Sequence, residues 1–290
     1  QGLFATLIIG TMIQQIGLLI GGSTGNVIYL LGKAAAALTS AGIGVGVAVK
    51  YGESPLVTVS AAVAAMVGGY AGKITGGTFF VDGNAVLAGP GEPLGAFIAA
   101  FAGITCGHLV SGKTKVDIIV TPVITIGAGS VVGLLVGPPI SQMMTGLGSI
   151  INWATEQRPF IMGIVVSVVM GMVLTLPISS AALGIILNLS GLAAGAATIG
   201  CCCNMVGFAV ASYRENKFGG LVAQGLGTSM LQVPNIMRHP LIWLPVIFSS
   251  AILGPVSTIL ANMQNNATGS GMGSAGLVGQ ITTYQTMIAY

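Results

Sequence analysis

Charge is scarce in this chain. Only 5% of its 290 residues are charged, whereas a soluble domain carries roughly a quarter. Nine basic and six acidic residues give a net charge of +3, so the chain offers no dense cationic patch and no nucleic-acid partner is expected. A chain of this composition would have no polar coat in water, which argues against a soluble domain.

Cysteine and histidine are also few, at four and two residues. Cys201, Cys202 and Cys203 are consecutive, and consecutive helical residues point to different faces, so these thiols do not share one metal with normal geometry. Packing as small apolar residues is the favoured interpretation, and metal or redox chemistry is the alternative. His108 and His239 form no zinc-binding spacing. We expect no metal, no cofactor and no catalytic residue.

The chain is instead rich in apolar residues and in glycine. Hydrophobic residues make up 53% of it, and the mean hydropathy is +0.94. A membrane-spanning helix needs about 20 mostly apolar residues, and the 46 glycines suit helices that pack closely in lipid. The candidate spans are Leu3–Ile20, Val27–Val49, Leu56–Ala71, Leu94–Val110, Ile118–Met144, Pro159–Leu176, Leu192–Ser212 and Leu241–Ala261.

The two ends of the sequence suggest a piece of a longer protein, because the chain opens on Gln1 and closes on the apolar stretch Gln280–Tyr290. Leu3–Ile20 has no basic region before it and no small-residue cleavage site after it. It is therefore predicted to be a first membrane helix and not a signal peptide.

Two stretches are too polar and too irregular to be simple spans. Pro177–Ser190 contains a proline, paired serines and an asparagine, and Leu221–His239 contains a proline, two glutamines, an asparagine and an arginine. Such backbone at membrane depth is tolerated only where it lines protein or a water-filled cavity, so both are predicted to be re-entrant hairpins. The predicted fold class is an all-α, polytopic transmembrane protein with two re-entrant hairpins.

This pattern predicts two membrane domains. The first covers residues 1–144, and the second, which carries both hairpins, covers residues 159–290. Residues 145–158 form an interfacial connector, in which Trp153 marks the headgroup level.

Neutral polar residues are concentrated in and near the two polar stretches. A solute in a desolvated pocket needs fixed neutral donors and acceptors, because each buried hydrogen bond left unmade costs about 1–3 kcal/mol. For any serine or threonine, the alternative is a hydrogen bond to its own helix backbone. The predicted solute-binding residues are Pro177, Ser179, Ser180, Asn188, Asn204, Gln224, Thr228, Ser229, Gln232 and Asn235.

The charge of the solute stays open at this point. Hairpin tips supply helix N-termini, which attract anions without a charged side chain. Arg238 and His239 follow the second polar stretch, where a boundary position is favoured over solute contact. Lys33 lies inside a predicted span, so a functional role and snorkelling to an interface are both open.

A pattern of prolines, glycines and methionines runs from residue 122 to residue 182. It resembles enzyme IIC, the membrane subunit of the phosphoenolpyruvate-dependent sugar phosphotransferase system, especially its fructose-type branch. The resemblance implies that a proline-bearing helix ends in a turn at residues 136–139, and that Thr175–Ser180 occupies the place of a Gly-Gly-Pro-Val-Asn-Lys re-entrant motif. The matching positions are Pro122, Val136, Gly137, Pro138, Pro139, Ile140, Met143, Gly163, Met170, Pro177 and Ala181.

A second patch resembles the same family but departs from it at one position. The runs are Gly227-Thr228-Ser229-Met230-Leu231-Gln232-Val233-Pro234 and His239-Pro240-Leu241, similar to the family's Gly-Ile-Thr-Glu, Ile-Pro and Asp-Pro-Leu elements. Met230 stands where the fructose-type pattern has a glutamate, so we expect no intrinsic catalysis. The glycine-rich run from Ala41 to Ala48 is similar to a divergent group of enzyme IIC-like proteins named as perfringolysin regulators.

The resemblance implies a multi-pass transporter in the bacterial cell membrane. Its partners would be a small polar solute such as a sugar, membrane lipid, a second copy of the chain in a homodimer, and cytoplasmic phosphotransferase subunits. Transport would follow an elevator-like mechanism, with residues 1–144 as a scaffold and dimerisation domain and residues 159–290 as the domain that binds and transports the ligand. The alternative is a membrane-embedded sensor or regulator, which keeps the fold and binds a ligand but carries out no phosphorylation-coupled transport.

Overall fold

The protein is helical over most of its length. The computed structural model describes residues 2–81, 83–87, 89 and 91–288. Among these residues, four helices are long and apolar enough to cross a membrane, and a bent helix pair makes a fifth if it counts as one span. The prediction of an all-α polytopic protein is confirmed. The four helices are Pro93–Val110, Asp117–Ile140, Gly191–Ala211 and Pro240–Leu260.

The chain divides into two compact units, residues 1–143 and residues 144–290. The roles predicted for the two parts, a scaffold and a transport domain, stay predictions. Unit 1 contains α1 (Ile9–Ile20, after the π-helical turn Phe4–Ile8), α2 (Gly22–Ala37), α3 (Thr39–Tyr51), α4 (Pro55–Gly69), α5 (Ala71–Thr75), the antiparallel pair β1 (Phe80–Val81) and β2 (Asn84–Ala85), α6 (Pro93–Val110) and most of α7 (Asp117–Thr155).

Helices α1 and α2 pack backbone against backbone. Gly10 on α1 faces Gly32 on α2, and Gly17 on α1 faces Gly25 on α2. The two glycines of each helix are seven residues apart in sequence. A Cβ atom added to Gly17 would lie 2.6 Å from the carbonyl oxygen of Gly25, and one added to Gly32 would lie 2.5 Å from that of Gly10. Only glycine permits this approach, which is the close helix packing that membrane proteins favour.

The predicted span Val27–Val49 is not one straight helix, because α2 and α3 meet at Leu38 with a bend of 53°. Leu38 leaves the helical region, with φ −86° and ψ 10°. The hydroxyl of Thr39 donates to the carbonyl of Ala36 at 2.6 Å, a local bond that competes with the helix backbone. The span therefore contains a joint.

Helix α7 also differs from the expectation. The turn implied at residues 136–139 is absent, and the helix runs through Pro138 and Pro139 as far as Thr155. Residues 145–155 of the predicted connector are therefore helical. Proline is tolerated in membrane helices because neighbouring groups can satisfy the carbonyls it leaves free.

Small aliphatic residues form the core of unit 1, where α3, α4 and α6 meet. Val57 and Ile104 pack there with five completely buried alanines. Helices α4 and α6 each begin with a proline at their first position, Pro55 and Pro93, where the missing N–H costs nothing. These helices approach closely because their facing surfaces are nearly flat.

Unit 2 contains the end of α7, followed by α8 (Pro159–Thr175), α9 (Ser180–Ile186), α10 (Gly191–Ala211), α11 (Tyr213–Val222), α12 (Val233–Arg238), α13 (Leu244–Pro255), α14 (Ala267–Ser270) and α15 (Val278–Ile288). Short helical turns complete it at Ala223–Gly227, Ser229–Gln232, Pro240–Trp243, Val256–Leu260 and Ala275–Leu277. The two predicted hairpin regions are runs of such short pieces. Their re-entrant course in a membrane stays a prediction.

Helices α8, α10 and α13 form the centre of unit 2. Gly163, Ser167 and Gly171 follow one another at four-residue spacing on one face of α8. A Cβ atom on Gly200 of α10 would overlap the carbonyl of Ser167, and one on Gly254 of α13 would overlap the carbonyl of Gly163. This close packing of three helices brings polar side chains on all three within hydrogen-bonding distance.

Candidate functional site

The candidate site is a group of buried polar side chains around Asn204, in the middle of α10. Asn204 is completely buried, as are Ser250 on α13, Thr175 at the end of α8, and Ser229. An amide with no access to water must find partners inside the protein. Its bonds therefore fix the surrounding elements.

The Asn204 amide makes its four possible hydrogen bonds within the protein. Its Nδ2 atom donates to the carbonyl of Gly200 at 3.1 Å and to Ser250 Oγ at 3.2 Å. Its Oδ1 atom accepts from Thr175 Oγ1 and from Trp243 Nε1, each at 3.2 Å. An amide has two donors and two acceptor positions, so Asn204 is saturated and joins α8, α10 and α13. We use the name Asn204 cluster for Asn204, its four partners and Ser229, that is, for Thr175, Gly200, Asn204, Ser229, Trp243 and Ser250.

The second polar stretch reaches this cluster through Ser229. The Ser229 hydroxyl lies 2.9 Å from the Thr175 hydroxyl. Just before it, Thr228 is extended, and its side chain caps the turn Ser229–Gln232 by accepting from the N–H of Met230 at 3.2 Å. The cap fixes the turn that brings Ser229 against α8.

Three more predicted residues form a chain of amides in the same stretch. Asn235 Nδ2 donates to Gln232 Oε1 at 2.8 Å, and Gln232 Nε2 donates to Gln224 Oε1 at 2.8 Å. Gln224 Nε2 then donates to Ser212 Oγ at 2.7 Å. Gln224 and Gln232 are buried, and Asn235 is exposed. The chain therefore runs from the surface into unit 2.

The predicted residues of the first polar stretch differ from those of the second in their hydrogen-bond partners. Ser180 is buried and donates to the carbonyl of Gly271 at 2.6 Å. Ser179 is buried, Pro177 is partly buried, and Asn188 is exposed with φ +47°, a turn conformation that asparagine tolerates. Within the described residues, no hydrogen bond joins Ser180 or Asn188 to Asn204. The convergence of both stretches in one cavity stays a prediction.

Residues 262–279 form a third polar stretch that the sequence analysis did not single out. Asn265 is buried, and its Nδ2 donates to Thr198 Oγ1 at 2.7 Å and to the carbonyl of Gly279 at 3.1 Å. Ser274 donates to the carbonyl of Gly225 at 2.5 Å. The available signal was a run rich in asparagine, glycine and serine directly after an apolar span, the same pattern that identified the first two stretches.

The buried polar groups of unit 2 are electrically neutral. Residues 159–213 contain no Asp, Glu, Lys, Arg or His. The described charged or titratable side chains of the unit at Glu156, Arg158, Arg214, Glu215, Lys217, Arg238 and His239 are all exposed. Lys33 of unit 1 is exposed on α2.

The sulfur atoms of unit 2 form no ligand group. Cys201 Sγ contacts the carbonyl of Met170 at 3.5 Å, whereas Cys202 Sγ accepts from Gln280 Nε2 at 3.4 Å. Across the part of the chain that the structure describes, no group of three or more His, Cys, Asp or Glu side chains is placed to hold a metal ion. The chemistry on offer is neutral hydrogen bonding.

Comparison with known protein families gives a match over the whole chain. The family described as "Phosphotransferase system, EIIC" matches residues 1–290. Comparison with curated proteins and with solved structures gives no match.

Proposed function

The chain belongs to the phosphotransferase system EIIC family and is a multi-pass membrane transporter of that type, and from this premise we propose that its solute is a sugar or sugar-like compound. We further propose that unit 2 binds the solute. The residues concerned are those of the Asn204 cluster and of the adjoining amide chain.

The observation that supports this proposal is the neutral cluster around Asn204, which is buried except for the partly buried Trp243. A membrane protein pays a large free-energy penalty for polar groups at depth unless they are satisfied, so polar groups there usually have a function. Neutral hydroxyl and amide groups in fixed positions are suited to sugar hydroxyls. Unit 1 has a core of small aliphatic residues instead, which suits a scaffold.

The proposed mechanism is elevator-like. Unit 2 would move with its bound solute against unit 1, and unit 1 would hold two copies of the chain together in the bacterial cell membrane. Chemical crosslinking of native membranes tests the homodimer, since a dimer band is expected and a monomer alone would contradict it.

A second candidate function has one observation in its favour. Met230 stands where the fructose-type pattern has a glutamate, and the buried polar set offers no carboxylate. Transfer of a phosphoryl group to a sugar hydroxyl needs a group that takes the hydroxyl proton, and a methionine thioether cannot do so. A membrane sensor that binds a sugar without phosphorylating it would need no such group.

Uptake by sealed membrane vesicles separates these functions. Vesicles that contain the protein should accumulate a radiolabelled sugar faster than vesicles without it. Adding phosphorylated partner subunits tests the coupling, because phosphorylated sugar inside the vesicles would indicate group transfer. Binding without uptake under both conditions would favour the sensor.

A further inference from the structure

Trp243 differs from the rest of the Asn204 cluster in its exposure. Thr175, Asn204, Ser229 and Ser250 are completely buried, whereas Trp243 is only partly buried. Its side chain packs against the buried residues Phe208, Ile236 and Val246. Its Nε1 atom bonds to Asn204. Of the groups bonded to the Asn204 amide, Trp243 is therefore the one that a solute can reach.

The hydrogen bonds around Asn204 determine what can enter there. The indole N–H can only donate, and Asn204 Oδ1 can only accept. The two atoms are 3.2 Å apart and form a hydrogen bond with each other. A group that comes between them has to accept from Trp243 and donate to Asn204.

A hydroxyl group meets both requirements, because it accepts and donates at the same oxygen. A carboxylate or a fully ionised phosphate can only accept, which leaves Asn204 Oδ1 without its second donor. An ammonium group can only donate, which leaves the indole N–H without an acceptor. A buried group left unsatisfied costs about 1–3 kcal/mol, so the position favours a neutral hydroxyl over either ion.

We infer that Trp243 is a solute-contacting residue that selects a hydroxyl group at one position of the solute, with that hydroxyl inserted between Trp243 Nε1 and Asn204 Oδ1. This inference rests on the proposed function and adds the residue that recognises this hydroxyl. Two hydrogen bonds in series span about 5 Å, so the indole ring moves outward by about 2 Å. Trp243 ends the short turn Pro240–Trp243, directly before α13, and its side chain is partly exposed. Its ring face then covers the apolar C–H face of the solute.

Tryptophan fluorescence tests this inference directly, because the chain contains only Trp153 and Trp243. Trp153 is exposed near the end of α7, and the Trp153→Phe variant makes Trp243 the single fluorophore. We expect glucose, fructose or mannitol to change the emission of Trp243 in a saturable way.

Analogues of the compound that binds best identify the inserted hydroxyl. At one ring position, replacement of the hydroxyl by hydrogen or by fluorine should weaken binding at least about ten-fold, since neither substituent both accepts and donates. In Trp243→Phe, which keeps a ring but loses the N–H, that preference should fall to about two-fold or less. Loss of packing alone would weaken all analogues equally and would not remove the preference.

The outcomes separate this inference from the proposed function. Saturable sugar uptake with unchanged Trp243 emission and an unchanged analogue preference in Trp243→Phe overturns the inference alone. If Trp243→Phe does not fold, the analogue series on the Trp153→Phe protein still decides, because equal binding of all deoxy and fluoro analogues contradicts it. The absence of uptake and binding for every compound overturns the proposed function as well.

Discussion

The hydroxyl oxygens of Thr175 and Ser229 lie 2.9 Å apart, although 54 residues separate them in sequence. The pair holds the end of α8 to the second polar stretch. Thr175→Val has nearly the same shape but leaves Ser229 and Asn204 without this partner, so we expect it to lower the free energy of unfolding by about 1–3 kcal/mol. Thermal unfolding in detergent measures the effect. Thr105→Val, at an exposed site on α6, is the matched control, and equal melting temperatures for the two variants would refute the prediction.

Asn204 is expected to be the most sensitive polar position in unit 2. Asn204→Leu removes all four hydrogen bonds of the amide and leaves several partners unsatisfied, each at a cost of about 1–3 kcal/mol. We expect loss of the folded protein in fluorescence-detected gel filtration. Asn188→Gly is the control, because Asn188 is exposed at φ +47° and glycine adopts that conformation freely. A folded Asn204→Leu protein would show that the cluster does not hold α8, α10 and α13 together.

The contact between α8 and α10 predicts a strong effect at Gly200. A Cβ atom there would overlap the backbone carbonyl of Ser167, which cannot move aside without separating the helices. Overpacking of this kind costs about 1–3 kcal/mol or more, and we expect a lower melting temperature for Gly200→Ala. Gly219→Ala adds the same methyl group where no atom lies within 4 Å, and it should melt like the parent. The reverse order would mean that the two helices do not pack in this way.

The residue at position 230 is predicted to determine whether the sugar is phosphorylated, and not whether the sugar binds. It is partly exposed, next to the buried Ser229. Met230→Leu is a volume-conserving swap, so sugar binding should be largely unchanged. Met230→Glu adds an acceptor that can take a hydroxyl proton, so it should change the affinity or allow sugar phosphorylation by partner subunits. Loss of binding in Met230→Leu, with normal binding in Ser229→Ala and Gln232→Ala, would place the site elsewhere.

The main helices could be predicted from the sequence because they depend on the bilayer. The predicted spans Leu94–Val110 and Leu192–Ser212 correspond to α6 and α10 within one residue at each end. The position of such a helix can be read from the local sequence, because a long apolar run between polar turns marks where the helix begins and ends. Prolines at first helical positions mark helix starts in the same local way.

Tertiary contacts could not be predicted in this way. The joint at Leu38 depends on a side-chain bond of Thr39, and many threonines bond to their helix without bending it. The pairing of Thr175 with Ser229 and the donation from Trp243 to Asn204 depend on how three helices pack. The sequence analysis therefore found Asn204 and Ser229 as polar residues but missed Thr175, Trp243 and Ser250 as their partners.

The neutral interior of unit 2 has an electrical consequence. An elementary charge that crosses the membrane field changes in free energy by about 2.3 kcal/mol per 100 mV. The buried polar groups of the proposed site are neutral and the proposed sugar is uncharged, whereas the charged side chains of unit 2 lie at exposed positions. Under the proposed elevator motion, the site and its solute would therefore carry no charge across the field. Sugar uptake should then proceed at the same rate when a potassium gradient and valinomycin impose a potential across the vesicle, and a voltage-dependent rate would contradict this. Under this proposal the membrane potential does no work on the sugar itself, so accumulation of the sugar would draw on another source of free energy.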